Sequence, residues 1–241
     1  MSLLRTLLLR TLSLLRHDVR NRHRLAVIFA ALALLMAFAD VELAPQLLER
    51  MSAKYGDAAR TRLLDWQQLL ARPPSDVRST LTTVNNFFNQ VEFIPDDEHW
   101  QQKDYWATPV EFLASNGGDC EDFSIAKYMT LIALGVPEAQ LRITYVKAVE
   151  LNQAHMVLTW YEKPDAEPLV LDNLIGDIRP ASQRTDLVPV YSFNGADLWL
   201  AKERGAGQLV GSSERISPWR ELLARLARDF KKAPFLAPGK P

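Results

Sequence analysis

Asn116-Gly117-Gly118-Asp119-Cys120-Glu121-Asp122-Phe123 reads as a turn that delivers the chain into a helix. Asp119 is a good N-cap residue, and Asp122 stands three positions later, as in a capping box. Phe123, Ala126, Met129, Ile132 and Ala133 then repeat at helical spacing, and Gly135 and Pro137 stop the helix in the expected order. Downstream the period changes to that of strands, over 141–148, 155–161, 168–173 and 189–193, with Asn194-Gly195 as a hairpin signal before 198–200. Upstream, Leu47, Leu48, Met51, Tyr55, Ala59, Leu63, Trp66 and Leu70 predict a helical region over 45–72, closed by Arg72-Pro73-Pro74-Ser75. A second helix over 76–89 would be capped by Ser75 or Asp76, and 91–104 reads as loop. Helices first and sheet afterwards predict an α+β domain, N-terminal helices packed on an antiparallel sheet, with Cys120 at a helix N-terminus.

The chain has 241 residues, 48% apolar and 24% charged, enough for one substantial core. Its net charge of −1 hides an asymmetry: the first 39 residues carry six Arg and one Asp, leaving 22 basic and 28 acidic residues downstream. That balance argues against a nucleic-acid surface, which needs clustered Lys and Arg, and it is compatible with recruiting a cation. Residues 25–39, LAVIFAALALLMAFA, follow Arg16, Arg20, Arg22 and Arg24 and end in Ala37-Phe38-Ala39. Basic flank, apolar run and small-x-small end are the grammar of an export signal cleaved after Ala39; an uncleaved anchor is the alternative, although a spanning helix wants about 20 apolar residues. The expected organisation is therefore a signal peptide or N-terminal membrane anchor over 1–39 and a domain over 40–205. A C-terminal extension over 206–241 follows, with an amphipathic helix opening at Ser217-Pro218 and a loose tail over 233–241.

Cys120 is the only cysteine. Retaining a lone thiol in an oxidising compartment needs a reason, because it invites oxidation; the bland reason is a buried small hydrophobe. At the first turn of a helix, however, the unpaired amides and the positive dipole end favour thiolate, the attacking species of cysteine hydrolases. Asp119, Glu121 and Asp122 work the other way, so a protonated His or a bound cation must offset them. His155 opens the strand-like run HMVLTWY and is the candidate base, with a satisfied strand-edge histidine as the alternative. Asp172, inside the apolar Leu169-Val170-Leu171-Asp172, needs a partner. His155 and Asp172 are symmetric about the Lys163-Pro164 bond, so antiparallel pairing brings them together within a couple of residues of register. Cys120, His155 and Asp172 then form a nucleophile, base and orienter. The amide of Cys120 is the natural first oxyanion donor; the Trp106 indole is a candidate second, alongside Asn116 and Gln102, and its alternative is a packed aromatic. Asp119, Glu121 and Asp122, with further acids at Asp96, Asp97, Glu98 and Asp104, suit a hard oxygen-seeking cation such as calcium, or simple capping with solvated charge.

Trp106-Ala107-Thr108-Pro109, Glu111-Phe112-Leu113, Asn116 to Phe123, His155-Met156-Val157-Leu158 and Leu171-Asp172-Asn173 together resemble the bacterial transglutaminase-like cysteine proteases of the LapG type. The resemblance runs from about residue 85 to 200. It implies a papain- and transglutaminase-like fold with the triad on Cys120, His155 and Asp172. It also places Asp119 and Glu121 at calcium-site positions, with Asp122 an addition. By the same resemblance the expected function is that of a periplasmic, calcium-dependent cysteine endopeptidase. Such an enzyme cleaves the N-terminal region of a large repeat-containing surface adhesin and promotes biofilm dispersal. An inner-membrane cyclic-di-GMP receptor is the expected inhibitory partner. A transglutaminase-type acyltransferase and a catalytically silent binding module are the competing classes, since nothing in the triad chooses water over an amine.

Overall fold

The computed structural model describes residues 43–201 and 207–229; the leader over 1–39, with its cleavage site, and the tail over 233–241 lie outside the described residues. The helical region expected over 45–72 is two helices, α1 (Pro45–Tyr55) and α2 (Asp57–Ala71), because Gly56 between them takes φ 84°. That left-handed conformation interrupts the helical ladder, and only glycine adopts it without cost. Helix α3 (Val77–Phe88) begins where expected, with the Asp76 carboxylate accepting from the Ser79 amide at 2.9 Å. The stretch expected as loop holds a short strand β1 (Glu92–Phe93) and a single turn α4 (Asp96–His99).

Helix α5 (Pro109–Ser115) has no counterpart in the periodicity reading. Its signature was nonetheless present: Thr108 and Glu111 form a reciprocal capping box around Pro109 at the first helical position. Arg62 of α2 closes the other end, donating to the carbonyls of Leu113 and Ala114 at 2.6 and 2.8 Å. Asn116, left-handed at φ 58°, turns the chain into β2 (Gly117–Gly118), which pairs in parallel with β1, and then into α6 (Cys120–Ala133). The expected capping box at the start of α6 is not made by Asp119, whose side chain forms no cap hydrogen bond.

Among the described residues seven strands follow: β3 (Leu141–Ala148), β4 (Gln153–Trp160), β5 (Leu169–Leu171), β6 (Arg179–Pro180), β7 (Leu187–Phe193), β8 (Asp197–Leu200) and β9 (Gln208–Ser212). They form one antiparallel sheet in the order β6-β5-β4-β3-β7-β8-β9. Strands β6 and β9 escape the sequence reading because two residues, or a Gly-containing stretch, leave no period-2 pattern to read. Helix α6 packs across β3 and β4, so it is apolar almost all round. Ile125, Ala126, Met129 and Leu131 are buried with Ile143, Met156, Leu158 and Phe193 in one core. Helix α7 (Ser217–Asp229) joins the same core through Trp219, Leu222 and Leu226, all at most 1% exposed. Residues 207–229 thus add a strand to the sheet and a helix to the core. Among the described residues no helix is long and apolar enough to cross a membrane.

Candidate active site

Cys120 is the first residue of α6, half-buried, at the point where β2 hands the chain to the helix. The approach is tight. A Cβ on Gly118 would lie 2.2 Å from Oδ2 of Asp122, so only glycine lets the chain enter the helix beside that carboxylate. The amide of Met156, in β4 next to His155, lies close enough to Cys120 to favour its thiolate. Its thiol donates to Glu121 Oε2 at 3.1 Å. Burial pushes the thiol well above its usual range, and the negative charges of Glu121 and Asp119 push it further, with the Met156 amide opposing. Without compensating positive charge, the helix dipole is outweighed and Cys120 stays protonated.

His155 and Asp172 meet as the hairpin symmetry required. The β4–β5 ladder pairs Leu158 with Leu171 and Trp160 with Leu169; carried one residue further, it sets Asp172 opposite Val157, two positions from His155 on the same face. The register differs by two from perfect symmetry about Lys163-Pro164, and the imidazole spans that diagonal. His155 Nε2 lies 2.8 Å from Asp172 Oδ1, both side chains being buried. Burial alone would keep Asp172 protonated. Hydrogen bonds from His155, the Leu174 amide and Arg184, with the charge of His155, outweigh it and hold the carboxyl at about 2. An ionised carboxylate can only accept, so Nε2 carries a proton and Nδ1 is left as the basic nitrogen of the neutral ring.

Arg184 is the member of this site that the sequence did not single out. Its Nη2 donates to Asp172 Oδ2 at 2.7 Å and to Asp186 Oδ2 at 2.7 Å, while Nε reaches Asp186 Oδ1 at 2.9 Å. Asn89 adds a bond to the Asp172 carbonyl at 2.8 Å. The signal available for Arg184 was an arginine beside an acidic residue downstream of the strand carrying Asp172, which is too common a pattern to select it.

The acidic residues converge more widely than the Asp119-Glu121-Asp122 run suggested. Carboxylate oxygens of Asp96, Asp119 and Asp122 lie within 4.8 Å of one another, as do those of Asp96, Asp104 and Glu121. Asp97 and Glu98 are not part of these groups. Asp96 Oδ1, Asp119 Oδ1 and Asp122 Oδ2 are buried without a hydrogen-bond partner. Burial raises Asp119 to about 10, with Glu121, Asp122 and Asp96 adding to it. It raises Asp96 to about 6 against the Tyr105 amide, which donates to Oδ2 at 2.5 Å, and it pushes Asp122 well up despite the amide of Ala107 at 2.6 Å. Orphaned carboxylate oxygens around one point, none comfortably ionised alone, are the donor set that a hard divalent cation requires. These residues fit calcium.

Trp106 does not offer its indole to the sulfur. Nε1 donates to Asp104 Oδ1 at 2.8 Å, and the ring stacks on Phe193 with centroids 5.7 Å apart. It packs the segment that carries the Ala107 amide to Asp122. Arg225 of α7 braces the same segment: it donates to the Trp106 carbonyl and lies over the Tyr105 ring, 4.5 Å from its centroid. His99, the other described histidine, is bonded to Ser115 at 2.8 Å.

The family model described as bacterial transglutaminase-like cysteine proteinase matches residues 63–200. The EGTA-treated structure of Legionella pneumophila LapG is 46% identical, with a TM-score of 0.66, covering 75% of this chain and 96% of that one. The calcium-bound form of the same protein is 46% identical with a TM-score of 0.64, over 74% and 97%. No curated protein sequence gives a match. With the family match spanning more than half of the sequence, this chain belongs to the bacterial transglutaminase-like cysteine proteinases.

Proposed function

We propose that the protein hydrolyses peptide bonds through an acyl-enzyme on Cys120, with His155 as base and Asp172 as orienter. One observation carries this reading: the one thiol of the chain sits at a helix start, close to the amide of the residue that follows His155, whose Nε2 is held by a buried, ionised aspartate. His155 Nδ1 takes the thiol proton, and the thiolate attacks the scissile carbonyl. The Cys120 amide, without an intrahelical acceptor at its position, donates to the developing oxyanion. The imidazolium then returns its proton to the leaving amine, and water deacylates the thioester with His155 again accepting the proton. Asp172 fixes the ring tautomer throughout and supports the imidazolium.

Calcium belongs to this reading, supported by the relative whose structure is calcium-bound and by the orphaned oxygens of Asp96, Asp119 and Asp122. Those three, with Asp104 and Glu121, would hold it. When bound, the ion supplies positive charge beside Cys120 and favours its thiolate. The motif resemblance extends the proposal to biology: a periplasmic endopeptidase that cuts the N-terminal region of a large repeat adhesin. An inner-membrane cyclic-di-GMP receptor would sequester and inhibit the endopeptidase.

The test is incubation of the purified protein with the N-terminal region of a secreted repeat adhesin from the same cell, with calcium or with EGTA. A single cut that requires calcium and disappears in Cys120→Ala, the variant remaining folded by circular dichroism, is the expected result. Cleavage that persists in Cys120→Ala removes the sulfur as nucleophile. Incorporation of a labelled amine in place of hydrolysis makes the protein an acyltransferase instead.

A further inference from the structure

Asp172 stands at the root of an irregular segment. Residues 172–178 join β5 to β6, and no hydrogen bond runs from backbone to backbone within them. Leu174, near the middle, is 45% exposed. Arg184 and the Leu174 amide hold the oxygens of the carboxylate, but neither a ladder nor a turn fixes the main chain from which it projects. Other groups must hold those carbonyls.

Two side chains at the end of α3 do so. Asn89 Nδ2 donates to the carbonyl of Asp172 at 2.8 Å, and Asn85 Nδ2 donates to the carbonyl of Gly176 at 2.8 Å. Four positions apart, the two amides lie on one face of the helix and grip the segment at both ends of 172–176. Asn85 is wholly buried on a face it shares with Leu81, Val84 and Phe88. Oδ1 of each asparagine is buried without a hydrogen-bond partner among the described residues. A buried amide satisfied on one side only is costly, and a leucine of similar volume would fill the space without that cost. Packing alone does not account for the pair. Helix α3 also packs on α6, the helix that begins with Cys120. One helix therefore touches both the nucleophile's helix and the main chain of the aspartate.

We propose that Asn85 and Asn89 are positioning residues of the hydrolytic site, clamping residues 172–176 to α3 so that the Asp172 carboxylate meets His155 in a fixed place relative to the helix of Cys120. This rests on the assignment of Cys120, His155 and Asp172 as the reacting set. Arg184 secures the charge of Asp172, whereas the asparagine pair secures where its main chain lies. Releasing the clamp lets Asp172 Oδ1 drift from His155 Nε2, now 2.8 Å away, and the imidazolium that stands opposite the thiolate loses its support.

The test separates positioning from stability. Two quantities are measured in calcium-containing buffer at neutral pH: the rate at which iodoacetamide alkylates Cys120, followed by mass spectrometry, and the low-field proton resonance of His155 Nε2–H bonded to Asp172. Asn89→Leu should slow alkylation roughly 3–10-fold, the equivalent of one hydrogen bond, and weaken the resonance through faster exchange. Asn85→Leu should do the same to a smaller extent, and Asn89→Gln, which keeps a donor, should recover most of the wild-type rate. Asp76→Ala removes the N-cap of the same helix and should lower the melting temperature while leaving both readouts unchanged. In an Asp172→Asn background, Asn89→Leu should change the alkylation rate no further, because the effect passes through the carboxylate. Asn85→Ala and Asn89→Ala serve where a leucine variant does not fold. Unchanged alkylation and resonance in both leucine variants, an equal slowing in Asp76→Ala, or a slowing that survives in Asp172→Asn would overturn the proposal. Wild-type Cys120 inert towards iodoacetamide would instead remove the reacting set itself, before any variant is compared, and this proposal with it.

Discussion

Asp172 shows how much one residue depends on partners remote in sequence. Its carboxylate is buried, yet three donors keep it ionised: the His155 ring, the Leu174 amide and the Arg184 guanidinium. Replacing Arg184 with Met leaves a buried carboxylate short of one cationic partner, and breaking such a pair destabilises a fold by about 3–5 kcal/mol. Urea unfolding of Arg184→Met at neutral pH should show a loss of that order, and kcat/KM should fall at least tenfold as the imidazole loses its fixed orientation. The pH dependence has a definite sign. Asp172 is lowered to about 2 in the folded protein, against about 3.9 in an unfolded chain. Its stabilisation is therefore full above about pH 4 and is lost as pH falls towards 2. In Arg184→Met the folded value rises and this contribution shrinks, which acid titrations of unfolding in the two proteins would record. Asp172 and His155 were legible in the sequence because a hairpin converts spacing into proximity. Arg184 was not, because it reaches Asp172 from an irregular segment beyond β6, where no periodicity fixes a side chain's direction.

At the scale of elements, the C-terminal helix links packing to the site. Helix α7 inserts Trp219 edge-on against Tyr128 of α6, with centroids 5.9 Å apart, and against Phe193 of β7, at 5.4 Å. It thus pins the back of the helix whose front carries Cys120. Arg225, two turns further on, holds the Tyr105-Trp106 segment from which the Ala107 amide reaches Asp122. Trp219→Ala, which deletes a fully buried ring, should cost about 3–5 kcal/mol in urea unfolding. Arg225→Ala removes a partly exposed side chain and should cost far less stability while loosening the segment that orients Asp122, so its apparent calcium affinity should fall several-fold by calorimetry. Equal stability losses in the two variants would contradict this division of labour. The amphipathic pattern of α7 was plain in the sequence, but its apolar stripe does not say which surface it covers. The same limit hid the strap over 105–107: Trp106 carries an aromatic ring and a donor, and only the fold decides that Phe193 takes the ring and Asp104 the donor.

For the whole molecule, the proposed calcium site should make stability a function of pH and calcium together. It gathers Asp96 and Asp104 from the segment before α5 with Asp119, Glu121 and Asp122 at the head of α6, so a cation there ties two parts of the fold together. Without the ion, Asp96 is raised to about 6 and Asp119 to about 10, both above the roughly 3.9 of an unfolded chain. A group whose folded value is raised contributes stability that is complete below its unfolded value and lost as pH rises through the folded one. In EGTA the protein should therefore melt higher at pH 5 than at pH 7.5. Calcium replaces the bound protons, so its binding should release protons and tighten as pH rises. At a hundredfold excess over its dissociation constant the ion adds about 2.7 kcal/mol, which for a chain of this size corresponds to roughly 5–10 °C. The expected result by scanning calorimetry is a calcium-induced rise of that order at pH 7.5 and a clearly smaller one at pH 5. Asp96→Asn should flatten the dependence between pH 5 and 7 in EGTA and weaken calcium binding at pH 7.5. A calcium effect of equal size at both pH values would mean that these carboxylates are not the ones the ion displaces protons from.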